Sequence, residues 1–149
     1  MTEVLFYHLE QQLLDRVLPT LLEKTLQRGW KAVVRSGSQE RLEALDIALW
    51  TYRDDSFLPH GTGKDGSGEL QPIYLTTGDE TPNSAGVVFL VEGAETEVFE
   101  GFERIVHLFD GHDQDALARA RGQWKAAKAA GCEVTYWQQN QQGRWEKKA

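Results

Sequence analysis

The sequence predicts an α/β fold: a single-domain sandwich with a mostly parallel central sheet, Rossmann-like in outline but without a dinucleotide fingerprint. Three observations predict it. Short apolar runs rich in Val, Ile, Phe and Tyr alternate along the chain with segments of helical periodicity. At 149 residues, 40% of them hydrophobic, the chain is long enough to enclose a full core. No repeat, linker or composition break divides it, so one domain is expected over residues 1–149, with a C-terminal strand-and-hairpin extension at 133–149.

The elements follow in order. "VLFYHL" (4–9) opens the chain as a strand. "QQLLDRVLPTLLEKTLQRG" then sets Leu13, Leu14, Val17, Leu18, Leu21, Leu22 and Leu26 on one helical face and stops at Gly29. Pro19 has no N–H to give, so a kink or restart is expected there. "WKAVVR" (30–35) is a buried strand. Ser38 caps a helix that carries Leu42, Leu45 and Leu49 at helical spacing and ends near Trp50. Residues 51–70 read as loop and close on "GTGKDGSGEL". The strands "PIYLTT", "GVVFLV" and "RIVHLF" come next, with a short helix containing Val98, Phe99 and Phe102 between the last two. Asp113 caps a further helix, and "EVTYWQQ", a turn at "NQQG" and "RWEKK" form a small hairpin.

Composition narrows the function. The formal charge of −7 opposes general nucleic-acid binding, because a negative body is repelled by a phosphate backbone. A single cysteine, Cys132, excludes an internal disulfide and leaves no Cys partner for a metal; it reads as a small apolar residue at the start of a strand. The opening "MTEVLFYHLE" has no basic region followed by a long apolar run, and no apolar run reaches spanning length. A soluble, cytoplasmic protein without membrane contact is expected.

Catalytic patterns are missing. The P-loop needs Gly, four residues, then Gly-Lys-Ser/Thr, but Gly63-Lys64 is followed by Asp65 and Leu58 stands at the position of the first Gly. The first strand runs into "EQQLLD" with no G-x-G-x-x-G. "DGHDQD" gathers His112 with Asp110, Asp113 and Asp115, yet no second His stands at ligand spacing, and carboxylates at a helix start serve its free N–H groups. His8 and His107 fall inside strands and read as structural. No metal or cofactor is expected.

One segment stands apart. In "ARARGQWKAAKAAG" (118–131), helical geometry sets Lys125 and Lys128 within about 40° of Arg121. Trp124 borders that stripe, and Ala116, Ala120, Ala126, Ala127 and Ala130 lie behind it. The residues Arg121, Trp124, Lys125 and Lys128 thus make an aromatic wall with a cationic rim, suited to carboxylates, or else a solvated helix face. On such an acidic body the patch suits a small acidic partner. In "ALWTYRDDSFLPHG" (48–61), Trp50 and Phe57 are either core aromatics or anchors for a partner.

The opening "FYHL", the "ALW…SFLPH" segment and the late "LARARGQWKAAKAAG" helix followed by a strand give the chain a likeness over nearly its whole length. It resembles the chi subunit family of bacterial DNA polymerase III. The resemblance implies a non-catalytic accessory subunit, with the DNA-directed DNA polymerase activity lodged in the holoenzyme. It also implies an adaptor that links the clamp loader to single-stranded-DNA-binding protein during replication, touching DNA only indirectly. By this likeness the acidic C-terminal tail of that protein falls on Arg121, Trp124 and Lys125. Trp124 stands at a position often filled by Tyr, and Lys128 at a basic one. The psi subunit of the clamp loader, where present, falls on Trp50 and Phe57. Leu117 stands where a further Lys is expected, so the patch is narrower or draws on Arg119, Lys147 or Lys148. Two other readings compete: a nucleotide-binding α/β enzyme, from the alternating elements and the Gly-rich loop, and a direct single-stranded-DNA binder, with Trp124 stacking on bases.

Overall fold

Strands that are apolar at nearly every position must be covered on both faces, and parallel strands joined through helices meet that demand. The computed structural model describes residues 2–9, 14–50, 60–62, 72–78, 81, 83–96, 101–142 and 144–148. Among them are β1 (Glu3–Leu9), α1 (Leu14–Gln27), β2 (Ala32–Ser36), α2 (Gln39–Trp50), β3 (His60–Thr62), β4 (Ile73–Thr76), β5 (Val87–Val91), β6 (Arg104–Asp110), α3 (Gln114–Ala129), β7 (Glu133–Gln139) and β8 (Trp145–Lys147). The strands form one sheet in the order β3-β4-β2-β5-β6-β1-β7-β8. Among the described residues every neighbouring pair in that order is parallel except β7 with β8, which is antiparallel. The expected single α/β domain with a mostly parallel sheet is therefore present.

The chain's first strand lies inside the sheet, between β6 and β7. Glu3, Phe6 and Tyr7 of β1 stand opposite Arg104, His107 and Leu108 on one side, and opposite Glu133, Tyr136 and Trp137 on the other. Alternation along each strand then divides the core in two. Leu5, Leu9, Val34, Phe89, Val106 and Leu108 face α1 and α2, joined by Val17, Leu18, Leu22, Leu42, Leu45 and Leu49. Val4, Phe6, Val33, Val88, Leu90 and Ile105 face α3, joined by Ala120 and Ala127. β2, β4 and β5 are buried at every residue, as interior parallel strands require.

Four differences from the sequence expectations have physical causes. α1 runs unbroken through Pro19, because the buried Val17, Leu18 and Leu22 hold the helix across the missing donor. The buried strand expected at 30–35 begins two residues later, leaving Trp30 half-buried between the guanidinium groups of Arg28 and Arg104, 5.5 and 5.3 Å from its ring. Within the stretch read as loop, His60–Thr62 pairs with β4, a contact too short to leave an alternation in sequence. Phe102 sits in irregular backbone just before β6 rather than in a helix. Leu13, Phe57, Val98, Phe99 and the Gly-rich segment from 63 to 71 lie outside the described residues.

Both ends of α3 are fixed by local chemistry. Asp113 is extended (φ −100°, ψ 114°), and its Oδ1 accepts from the N–H groups of Asp115 (2.9 Å) and Ala116 (3.3 Å). At the other end Gly131 N–H donates to Lys128 O (3.1 Å) and Cys132 N–H to Ala127 O (3.1 Å). With Gly131 at φ 82°, these two bonds form a Schellman motif that turns the chain back into β7. Ser38 starts α2 in the expected way, its hydroxyl accepting from Arg41 N–H at 3.3 Å. Among the described residues no helix is long and apolar enough to cross a membrane.

Candidate functional site

α3 lies across β6 and β7 and seats itself through small side chains. Ala120, Gln123 and Ala127 are buried and Ala116 is half-buried, whereas Ala126 and Ala130 are exposed. The inward face is thus rotated from the all-alanine stripe that the sequence predicts, and Gln123 occupies its middle. Burial of that amide is compensated: its Oε1 accepts from Thr96 N–H at 3.1 Å. The rotation also draws Trp124 inward, so the indole is half-buried instead of standing free.

Trp124 rests on aromatic neighbours from two adjacent strands. Its ring centroid is 5.4 Å from Phe6 of β1, tilted by 57°, and 6.0 Å from Tyr136 of β7, nearly edge-on at 71°. Phe6 in turn stacks on His107 of β6, with centroids 4.5 Å apart and planes 2° from parallel. Tyr136 is held from below by His8, whose Nδ1 lies 2.6 Å from the phenol oxygen. The indole is therefore backed by a row of rings and has few ways to turn.

One cation faces this ring directly, and two more share its helix face. Lys128 sets its ammonium 5.2 Å from the Trp124 centroid, a cation–π distance. Arg121 and Lys125 are exposed, and their side chains make no ion pair or hydrogen bond among the described residues. All four residues singled out from sequence share one face. The three proposed substitutes for the missing lysine at Leu117 separate. Arg119 lies on the other flank of α3, its guanidinium over Gly93. Lys147 stands opposite Trp137, on the α1 side of the sheet. Lys148 bonds through its N–H to Tyr136 O (2.8 Å), which puts it on the Trp124 side.

Sequence reasoning missed Phe6, Tyr136 and His107 as supports of this site. Phe6 and Tyr136 meet Trp124, and His107 stacks behind Phe6, only because β1 inserts between β6 and β7. Burial lowers the pKa of His107 to about 4, so this ring is neutral at ordinary pH and packs as an aromatic. Of the other aromatic pair, Trp50 closes α2 with its side chain outside the described residues, as Phe57 is entirely. One turn before Trp50, Ile47 is 63% exposed, the large apolar side chain most open to solvent among the described residues.

A second concavity of about 660 Å³ lies at the carboxyl ends of β1, β5 and β6, between α2 and α3. Open α/β sheets bind nucleotides at such a place. Its chemistry is wrong for phosphate. Glu92, Glu95, Asp110 and Asp113 outnumber Arg41 and Arg119 around it. Arg41 is engaged by Glu92 at 3.2 Å, and Asp113 already occupies two of the helix N–H groups that would cradle an anion.

Comparison with known proteins bears on the same region. A Rickettsia prowazekii (strain Madrid E) protein described as a probable DNA polymerase III subunit chi is 29% identical over 117 residues, which cover 74% of this chain and 71% of that protein. The family model for the DNA polymerase III chi subunit, HolC, matches residues 1–135, a span that includes β1, β6, the whole of α3 and the start of β7. With the fold and the ring-backed helix inside that match, the chain belongs to the DNA polymerase III chi subunit family, accessory subunits of the replicative polymerase.

Proposed function

We propose that the chain is a non-catalytic adaptor of the replicase, which binds the acidic C-terminal tail of single-stranded-DNA-binding protein on α3 and so links it to the clamp loader. The observation that carries this reading is the half-buried Trp124, fixed against Phe6 and Tyr136 and rimmed by the unpaired Arg121 and Lys125 and by Lys128. A terminal apolar side chain would lie against the indole. The terminal carboxylate and the preceding acidic side chains would meet the cations, with Arg121 able to grip a carboxylate through two N–H groups.

Fluorescence anisotropy with a labelled tail peptide tests it. Arg121→Ala and Trp124→Ala should each weaken binding by about tenfold, the scale of one charge-assisted hydrogen bond or one lost aromatic contact. Arg121→Lys should recover only part of the loss, because an ammonium cannot make the paired contact. Unchanged affinity in the two alanine variants would remove the site assignment.

The psi subunit is the second proposed partner, at Trp50 and Phe57. Ile47 supports this reading, because a large apolar side chain left exposed near the end of α2 suits a partner contact. Co-purification with a psi protein that survives Ile47→Asp would count against it. The cytoplasm is the compartment in which this adaptor would work.

A further inference from the structure

We infer that the β7–β8 hairpin forms the second wall of the peptide groove, and that Lys148 on it is a specificity residue for the ligand's acidic side chains, held in reserve by Glu146. This inference rests on the tail-binding reading of α3. The family match ends at residue 135, so β8 and most of β7 lie beyond it.

Register decides which of its side chains matter. In the antiparallel pairing Gln138 stands opposite Glu146 and Trp137 opposite Lys147, while Lys148 N–H bonds to Tyr136 O. Residues opposite one another share a face, so Glu146 and Lys148 stand on the Tyr136 side. Tyr136 is the ring that Trp124 meets edge-on. Lys148 therefore rises from the strand flanking the site, across from Arg121 and Lys125 on α3. The groove between them has an aromatic floor of Tyr136 and Trp124 and cations on both banks. On a protein of net charge −7 this clustering selects an acidic, extended peptide.

The hairpin is fixed from its other face. Trp145 packs edge-on against Tyr7, with centroids 4.9 Å apart and planes at 80°, and Tyr7 stacks on Trp137 at 6.4 Å. The turn is closed by Asn140, whose Oδ1 accepts from Gln142 N–H (2.9 Å) and Arg144 N–H (3.0 Å). Glu146 and Lys148 are thus presented on a braced strand.

Lys148 is not idle in the free protein: its ammonium lies 3.4 Å from a Glu146 carboxylate oxygen, and both side chains are about half exposed. An arriving carboxylate exchanges with Glu146 for the same ammonium, and Glu146 repels the acidic ligand. The two residues should therefore act with opposite sign. A solvated pair of this kind can be exchanged at little cost.

The experiment is a titration of the full-length protein with the labelled C-terminal peptide of single-stranded-DNA-binding protein at low salt. Lys148→Ala should weaken binding about threefold and Glu146→Gln should tighten it about threefold, in keeping with single exposed charge contacts. Lys147→Ala, on the opposite face, should bind as the wild type does. If Lys148→Ala and Glu146→Gln leave affinity unchanged while Arg121→Ala weakens it, the hairpin wall is overturned and the α3 site stands. If the wild type does not bind the peptide, or Arg121→Ala binds equally well, the tail-binding reading fails and the hairpin inference fails with it.

Discussion

Trp124 is half-buried, with one part of its ring packed and another left open to solvent. Sequence geometry sets it on the border of a cationic stripe, and that placement is right. Its rigidity was not legible, because Phe6 and Tyr136 reach it through strand pairing between distant segments. The same row of rings contains a pH-sensitive member. His107 is buried with its Nε2 lacking a partner among the described residues, and its folded pKa of about 4 lies below the ordinary value of 6.5. The unfolded chain therefore binds the proton first. The stability contributed by neutral His107 is complete above about pH 6.5 and drains away as pH falls toward 4, a total of about 3 kcal/mol. Urea unfolding at pH 7.5 and 5 should show this loss in the wild type. In His107→Phe, which keeps the stack on Phe6 without a titrating nitrogen, the slope should be shallower.

At the level of elements, periodicity and caps made most of the fold readable. Asp113 and Gly131 mark the two ends of α3 in sequence, and both mark them in the structure. The inward face of that helix was read less well, since a buried Gln123 in place of an alanine depends on Thr96 offering an N–H. β3 escaped because three residues cannot display an alternation. Pro19, read as a kink or a restart, does not restart the helix, since packing of neighbouring side chains outweighs one lost hydrogen bond. Gly131 carries the most exposed prediction here: an added Cβ meets no atom within 4 Å, yet φ is 82°. Gly131→Ala should therefore cost about 1 kcal/mol through backbone strain alone, measurable as a lower midpoint of denaturant unfolding with an unchanged slope.

For the molecule as a whole, charge is unevenly shared. A body of net charge −7 carries the exposed cations Arg121, Lys125 and Lys128 on α3, with Lys148 on the strand beyond Tyr136. Contacts between such exposed charges are screened, so peptide affinity should fall by about tenfold as salt rises from about 50 mM to about 500 mM. Stopped or equilibrium titrations across that range would read it directly, and a salt-independent affinity would shift the weight to the indole. A single-stranded oligonucleotide at physiological salt should give no mobility shift, because the overall field opposes it. The outer strand, β8, carries Glu146 and Lys147 along its short length, which discourages pairing with another sheet edge.

The interior position of β1 has a consequence for how the protein comes into being. β1 needs β6 and β7 on its two flanks, and both lie far along the chain from it. β6 offers β1 its first partner, but until β7 is made Trp124 has Phe6 behind it without Tyr136. Synthesis thus completes α3 before Tyr136, one of the two rings behind Trp124, is made. A chain cut off before β7 would keep the cations of α3 and the Phe6 contact but lose Tyr136, and the indole would turn more freely.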